Sequence, residues 1–171
     1  PMGVSYCTGD GRVTQRMMDY YVRRAQGVGL LQLQSAAVKF PEGRPSLWHP
    51  RIDDDKYMEG LARLCRAIKE SGDGVKVSLN LQHAGGQTRR EYTGTDVITP
   101  SPTENFFYGP TREITIDEIQ DLIGRFGEAA RRVKEMGFDA VELQFAHGYL
   151  VSSFLSPLTN HRQDPYGGSS E

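Results

Sequence analysis

Apolar and polar positions divide the chain into short strand-like runs separated by longer amphipathic stretches. Residues 28–38 hold an apolar core, Leu30-Leu31-Gln32-Leu33, behind Gly27 and Gly29. Residues 75–81 alternate apolar and polar, with valines early, and residues 140–143 (Ala-Val-Glu-Leu) repeat the theme. These runs predict three short strands. Residues 13–25 carry Met17, Tyr20 and Tyr21 at helical spacing. A second predicted helix is capped by Asp53 or Asp54, shows Tyr57, Leu61, Leu64, Cys65 and Ile68 on one face, and stops at Gly72. The clearest helix begins at Thr115-Ile116-Asp117-Glu118, a capping box. Its expected buried stripe is Ile119, Leu122, Ile123, Phe126, Ala130 and Val133, with Gly137 past its end. Arg131, Arg132 and Lys134 fall on its outer face and last turn, where cations suit the helix dipole.

Strand–helix alternation implies an α/β fold with a parallel sheet and right-handed crossovers. The long connection over residues 82–114 follows a strand end, where barrel enzymes keep functional loops, and so favours a barrel over an open sheet. Its glycines and prolines mark it as a loop with turns. A complete barrel takes roughly 250 residues. Three strands, with residues 1–3 as the end of another, make this a partial TIM (β/α)8 barrel, about its first half. Residues 1–171 are expected to be a single partial domain, a piece of a longer protein. Its open strand edges call for a partner, either a second copy or the remainder of its own barrel.

Composition narrows the class. Hydrophobic residues at 37% and charged residues at 25% argue against disorder. A net charge of −2 gives no reason to expect nucleic acid or an anionic membrane surface as partner. No apolar run is long enough to cross a bilayer. Two cysteines, Cys7 and Cys65, make no disulfide framework, and a cytoplasmic location is expected.

Candidate chemistry collects at the strand ends: Gln34 and Ser35, then Asn80, Gln82 and His83, then Gln144, His147 and Tyr149. In a parallel barrel these ends share one mouth. Each alone is as readily a polar group facing water or capping a helix; their recurrence on three strands shifts the weight towards a site. A metal pair of His83 and His147 with Glu142 is disfavoured, because alternation turns Glu142 to the side opposite Leu143 and no second His or Cys cluster exists. No Gly-x-Ser-x-Gly elbow and no Gly-x-Gly-x-x-Gly occurs, which argues against a serine hydrolase and a dinucleotide-binding Rossmann unit. A flavin uses more of these residues together. Asn80 can face its pyrimidine edge, and Gly3 and Ser35 permit close approach. His147 and Gln144 can hydrogen-bond a substrate carbonyl, and Tyr149 can protonate the adjacent carbon. Tyr149 is also readable as an ordinary buried aromatic.

The run Gly137-Phe138-Asp139-Ala140-Val141-Glu142-Leu143-Gln144-Phe145-Ala146-His147-Gly148-Tyr149-Leu150, with Phe154-Leu155-Ser156-Pro157 and Asn160-x-Arg162-x-Asp164-x-Tyr166-Gly167-Gly168-Ser169, resembles the old yellow enzyme family of flavin-dependent ene-reductases. Pro1-Met2-Gly3, Asp10-Gly11-Arg12-Val13-Thr14, Tyr20-Tyr21 and His83-Ala84-Gly85 extend the resemblance over nearly the whole chain. It is most similar to the branch of 2,4-dienoyl-CoA reductase, bile-acid-inducible oxidoreductases and trimethylamine dehydrogenase. The resemblance implies an FMN enzyme fed by NAD(P)H that reduces an activated C=C bond of a small-molecule substrate. Pro1, Met2, Gly3, Ser35 and Asn80 would line the FMN, Gln144 and His147 would bind substrate oxygen, and Tyr149 would donate the proton. Arg162 and Asp164 would hold the following loop. A 4Fe-4S cluster and FAD are implied for a region beyond Glu171. The chain departs from the family at Gln144, where His or Tyr is usual, at Gly86, where an Arg is usual, and at Gly3, which replaces Cys or Thr. Amine dehydrogenation, a non-catalytic self-associating half-barrel and a metal-dependent hydrolase remain as alternatives.

Overall fold

The computed structural model describes residues 2–106 and 108–168; Pro1 and Ser169, which enter the expectations above, lie outside them. Three parallel strands form the main sheet: β1 (Leu30–Ala37), β2 (Lys76–Gln82) and β6 (Ala140–Leu143), in the order β1-β2-β6. Three helices back it: α1 (Gln15–Val22), α2 (Met58–Ser71) and α4 (Ile116–Glu135). Their apolar stripes supply Met17, Tyr21, Leu61, Leu64, Ile68, Ala129 and Val133 to a core shared with Leu33, Ala36, Val77, Leu79 and Leu81 of the sheet. Each fully buried aliphatic side chain there is worth about 1.5–3 kcal/mol.

The helix signals act as their chemistry requires. Thr115 Oγ1 accepts from the Glu118 amide at 3.2 Å, and the Glu118 carboxylate accepts from the Thr115 amide at 2.9 Å. Asp54 caps a 3-10 turn (Asp55–Tyr57) that leads into α2, which ends at Gly72. Gly137 takes φ +83°, a left-handed exit from α4 that suits glycine.

Two expectations are corrected. The connection over residues 82–114 is not only turns. It contains a 3-10 turn (Gly85–Gln87), the short helix α3 (Arg90–Thr93) and a second small sheet of β3 (Ile98–Thr99), β5 (Gly109–Glu113) and β4 (Thr103–Phe106). Buried Ile98 and Ile114 anchor this sheet on α4 and on α5 (Leu150–Phe154), which outweighs the local turn signal of Gly109 and Pro110. Ile123 is exposed rather than part of the buried stripe, since it lines an open apolar groove with Phe126, Phe154 and Leu155.

Register matters most in β1. Leu33 pairs with Leu79 but Ser35 pairs with Asn80, so Gln34 is an extra residue, a β-bulge. Simple alternation would send Gln34 inward with Gln32. The bulge instead turns Ser35 to the inner face opposite Asn80. Gln34 is buried elsewhere, accepting from the Val4 amide through Oε1 at 2.6 Å and so tying the N-terminal segment to β1.

Candidate functional site

The C-terminal ends of β1, β2 and β6 open into a cavity of about 420 Å³. Its lining brings together Gly3, Ser35, Asn80, Gln144, His147 and Tyr149, with His49, Gln87, Pro45, Ser46 and Ser5 completing the wall. Met2 is exposed and outside this lining. Among the described residues, no carboxylate or ammonium group lines the cavity.

Asn80 sits on the floor, fully buried, with neither Oδ1 nor Nδ2 hydrogen-bonded to any of the described residues. A buried amide left unpaired costs about 1–3 kcal/mol per group. Its presence at the floor of a cavity points to a ligand edge that offers a donor and an acceptor side by side. Ser35 stands beside it in register, and its Oγ is 3.2 Å from Nε2 of buried His49.

The rim comes from the turn after β6. The Gln144 amide donates to Leu81 O at 3.0 Å, extending the ladder one residue past β6. His147 then takes φ +61° and Gly148 φ +70°. Left-handed backbone is uncommon for a residue with a side chain, although His tolerates it better than most. Here Gln87 Nε2 donates to the His147 carbonyl, and the Leu150 amide donates to His83 O at 3.1 Å, pinning the turn to the end of β2. Tyr149 caps α5 and is half-buried. Burial raises its hydroxyl above the ordinary tyrosine range, with Tyr108 adding to the effect, so it is protonated at neutral pH.

Three strand-end residues do not join the cavity. Gln34 serves the bulge. Gln82 is buried, donating through Nε2 to Gly43 O at 3.0 Å. His83 is buried with Nδ1 accepting from the Gly85 amide at 3.1 Å and Nε2 3.5 Å from Glu42. Burial lowers its pKa, and the pull of Glu42 offsets only part of that. His83 does not share the cavity lining with His147. Among the described residues no group of three or more His, Cys, Asp or Glu is placed to hold a metal ion. Arg162 is buried, donating to Pro100 O at 3.0 Å and Ile114 O at 2.7 Å while pairing with Asp164, so it clamps the small sheet to the loop after α5. Burial pushes the Cys7 thiol up to about 12, with Asp10 adding to the effect, which leaves it unreactive.

The sequence profile described as the NADH:flavin oxidoreductase / NADH oxidase family matches residues 1–171. The chain belongs to this family. It is 45% identical to an NADH oxidase of Thermoanaerobacter brockii over 100% of this chain and 26% of that protein. It is 40% identical to an NADPH dehydrogenase of Bacillus subtilis over 95% of this chain and 47% of that one. The fold matches the old yellow enzyme homologue from Zymomonas mobilis with TM-score 0.90 and 28% identity, covering 99% of this chain and 49% of that one. Morphinone reductase in complex with tetrahydroNAD matches with TM-score 0.88 and 27% identity, over 96% of this chain and 49% of that one. The chain thus spans about half the length of the Bacillus relative and a quarter of the Thermoanaerobacter one. Its parallel sheet and helices are about half of an old yellow enzyme barrel.

His49, Gln87 and the bulge at Gln34 escaped the sequence reading. His49 lies in a loop without periodicity, and only its position downstream of a strand-end serine hinted at the site.

Proposed function

We propose that this chain is the substrate-facing half of an FMN-dependent, NAD(P)H-consuming oxidoreductase of the ene-reductase type. The observation that carries the reading is Asn80, buried and unpaired at the floor of a cavity whose rim holds Gln144, His147 and Tyr149. The residues present fit FMN. Asn80 supplies an amide donor and acceptor for a pyrimidine edge, and Gly3 and Ser35 leave room beside it. Bound FMN would supply hydride transfer between the nicotinamide and the substrate.

The chain's own residues do the rest. Gln144 Nε2 and the His147 ring donate hydrogen bonds to the carbonyl oxygen of an enone or enoyl thioester, drawing electron density from its β-carbon. Tyr149 holds a proton on its hydroxyl at neutral pH and delivers it to the α-carbon. Gln87 keeps the His147 turn in place through its bond to the His147 carbonyl. An amide at residue 144 donates but cannot take up a proton, so its share of the polarisation is a neutral hydrogen bond.

Residues 1–171 act as one structural unit, with the remaining strands supplied by the rest of its barrel. The far longer Thermoanaerobacter relative leaves room for further cofactor domains, where a 4Fe-4S cluster and FAD would sit. No helix among the described residues is long and apolar enough to cross a membrane. The two free cysteines support a reducing compartment, and on that ground we place the protein in the cytoplasm. A second reading, a self-associating half-barrel, is favoured by one observation: Val141 and Leu143 on the outer strand and Phe145 just beyond it are exposed.

Incubation with FMN, desalting and a visible spectrum test the first reading. A retained, perturbed flavin band is expected when the barrel is complete. A colourless protein of defined dimeric mass would favour the second. Tyr149→Phe should slow alkene reduction and spare flavin reduction by nicotinamide; equal loss of both half-reactions would remove Tyr149 from the proton-donor role.

A further inference from the structure

The cavity contains an imidazole that the proposed chemistry leaves unused. His49 comes from the loop after β1 and is buried, yet its ring reaches the cavity wall beside Ser35. Burial pushes its pKa down to about 3, partly opposed by its hydrogen bond to the Ser35 backbone, so the ring is neutral. A neutral imidazole carries a single N–H. Its Nε2 lies 3.2 Å from Ser35 Oγ, and the direction of that bond follows the ring's tautomer. A proton on Nε2 makes Ser35 Oγ an acceptor from His49 and leaves the hydroxyl's own proton free to turn into the cavity. Ser35 faces the cavity only because the bulge at Gln34 reverses the alternation of β1, and it then pairs with Asn80. The bulge and the buried histidine thus converge on one hydroxyl.

We propose that His49 is a positioning residue that orients the Ser35 hydroxyl to donate a hydrogen bond, beside Asn80, to an acceptor atom of the bound flavin. This rests on the FMN reading above. Reduction adds negative charge to the flavin ring, and a donor binds the more electron-rich form more strongly. The pair therefore raises the reduction potential of the flavin. It also gives the chain a hydroxyl at the flavin despite glycine at residue 3, which contributes no side chain.

The test is the midpoint potential and visible spectrum of the FMN-loaded protein, for wild type, Ser35→Ala, Ser35→Thr, His49→Leu and the double variant. Ser35→Ala should weaken the preference for reduced over oxidised flavin about tenfold, a fall of about 30 mV for a two-electron couple. His49→Leu should match it, the double variant should fall no further, and Ser35→Thr should retain the wild-type potential. In the protein without FMN, ¹⁵N NMR of the His49 ring should show the neutral Nε2–H tautomer between about pH 5 and 8. A wild-type potential in Ser35→Ala, or an Nδ1–H tautomer, overturns the proposal while leaving the FMN reading intact. Wild-type protein with a completed barrel that retains no FMN overturns both. Should His49→Leu fail to fold, the Ser35→Ala and Ser35→Thr pair and the ring tautomer still decide.

Discussion

β2 and β6 share a sequence pattern and differ in fate. Leu79 and Leu81 of β2 are fully buried, whereas Val141 and Leu143 of β6, their register partners, are 39% and 44% exposed, and Phe145 just beyond is 50% exposed. Residue type does not explain this, since all are apolar strand residues. Neighbours do. β2 has a strand on either side and helices behind it, while β6 pairs with β2 alone among the described residues. An apolar strand with a free edge is a template for further pairing. The comparison shows that burial here belongs to the assembled sheet, and that the outer strand carries apolar side chains suited to cover it does not yet have.

The sharpest way to test that contrast is truncation at paired positions. Leu79→Ala should cost about 2–5 kcal/mol in urea or guanidinium unfolding, the range for a fully buried leucine. Leu143→Ala should stay within about 0.5 kcal/mol in the isolated chain, as for ordinary surface substitutions. Similar losses at both would break the comparison and show that β6 is covered in solution.

Gly85 probes the seam between the two regions. It takes φ +55°, and a Cβ there would lie 2.8 Å from Leu150 Cα and 2.9 Å from its Cβ and N. The left-handed backbone alone costs about 1–2 kcal/mol for a residue with a side chain. Gly85→Ala should lower the melting temperature and displace Leu150, and with it the Tyr149 rim, while leaving the core around Leu79 intact by hydrogen exchange. A melting temperature equal to wild type would mean that the α5 junction yields freely.

Thr115→Ala removes half of the capping box at the start of α4. The expected loss is about 1 kcal/mol in denaturant unfolding. Fraying should be confined to the first turn, near the open groove of Ile123 and Leu155. Loss of protection at Ala129 and Val133, which sit in the main core, would show that α4 unfolds as one unit across both regions.

Much of the fold was legible because its signals are local and repeated. The capping box at Thr115, the stripe of Leu61, Leu64 and Ile68, and the alternation of residues 75–81 each report a face that must be buried. The rim residues Gln144, His147 and Tyr149 were legible for a related reason: polar groups crowd where an apolar strand ends, and the cavity lining contains all three. What stayed hidden depends on register and on distant neighbours. No periodicity announces the bulge at Gln34, so Gln34 and Ser35 looked alike as strand-end groups. His83 looked like a mouth residue until Glu42, from another loop, was seen beside it. Ile123 follows the helical stripe correctly, but the surface that would cover it is not among the described residues.

The smallest expected effect concerns how the exposed strand is held. Asp139, just before β6, pairs with Lys69 at 2.8 Å and Lys76 at 3.3 Å, and accepts from the Val77 amide at 3.0 Å. Lys69 first and the Val77 amide second lower its carboxyl to about 2 from an ordinary 3.8. A carboxylate whose folded pKa is depressed stabilises the fold above its unfolded pKa. That contribution is therefore complete above about pH 4 and fades as pH falls from 3.8 towards 2. The group is largely solvated, and exposed pairs are worth little, so the global loss should be small. Its signature should be local: the amides of β6 lose protection, after correction for intrinsic exchange, between pH 4 and 2, while those of β2 facing β1 do not. Asp139→Asn should remove this pH dependence and show the reduced β6 protection already at neutral pH. Equal loss of protection in all three strands would mean that the free edge and the core open together, and that the contrast between β2 and β6 is one of exposure only, not of stability.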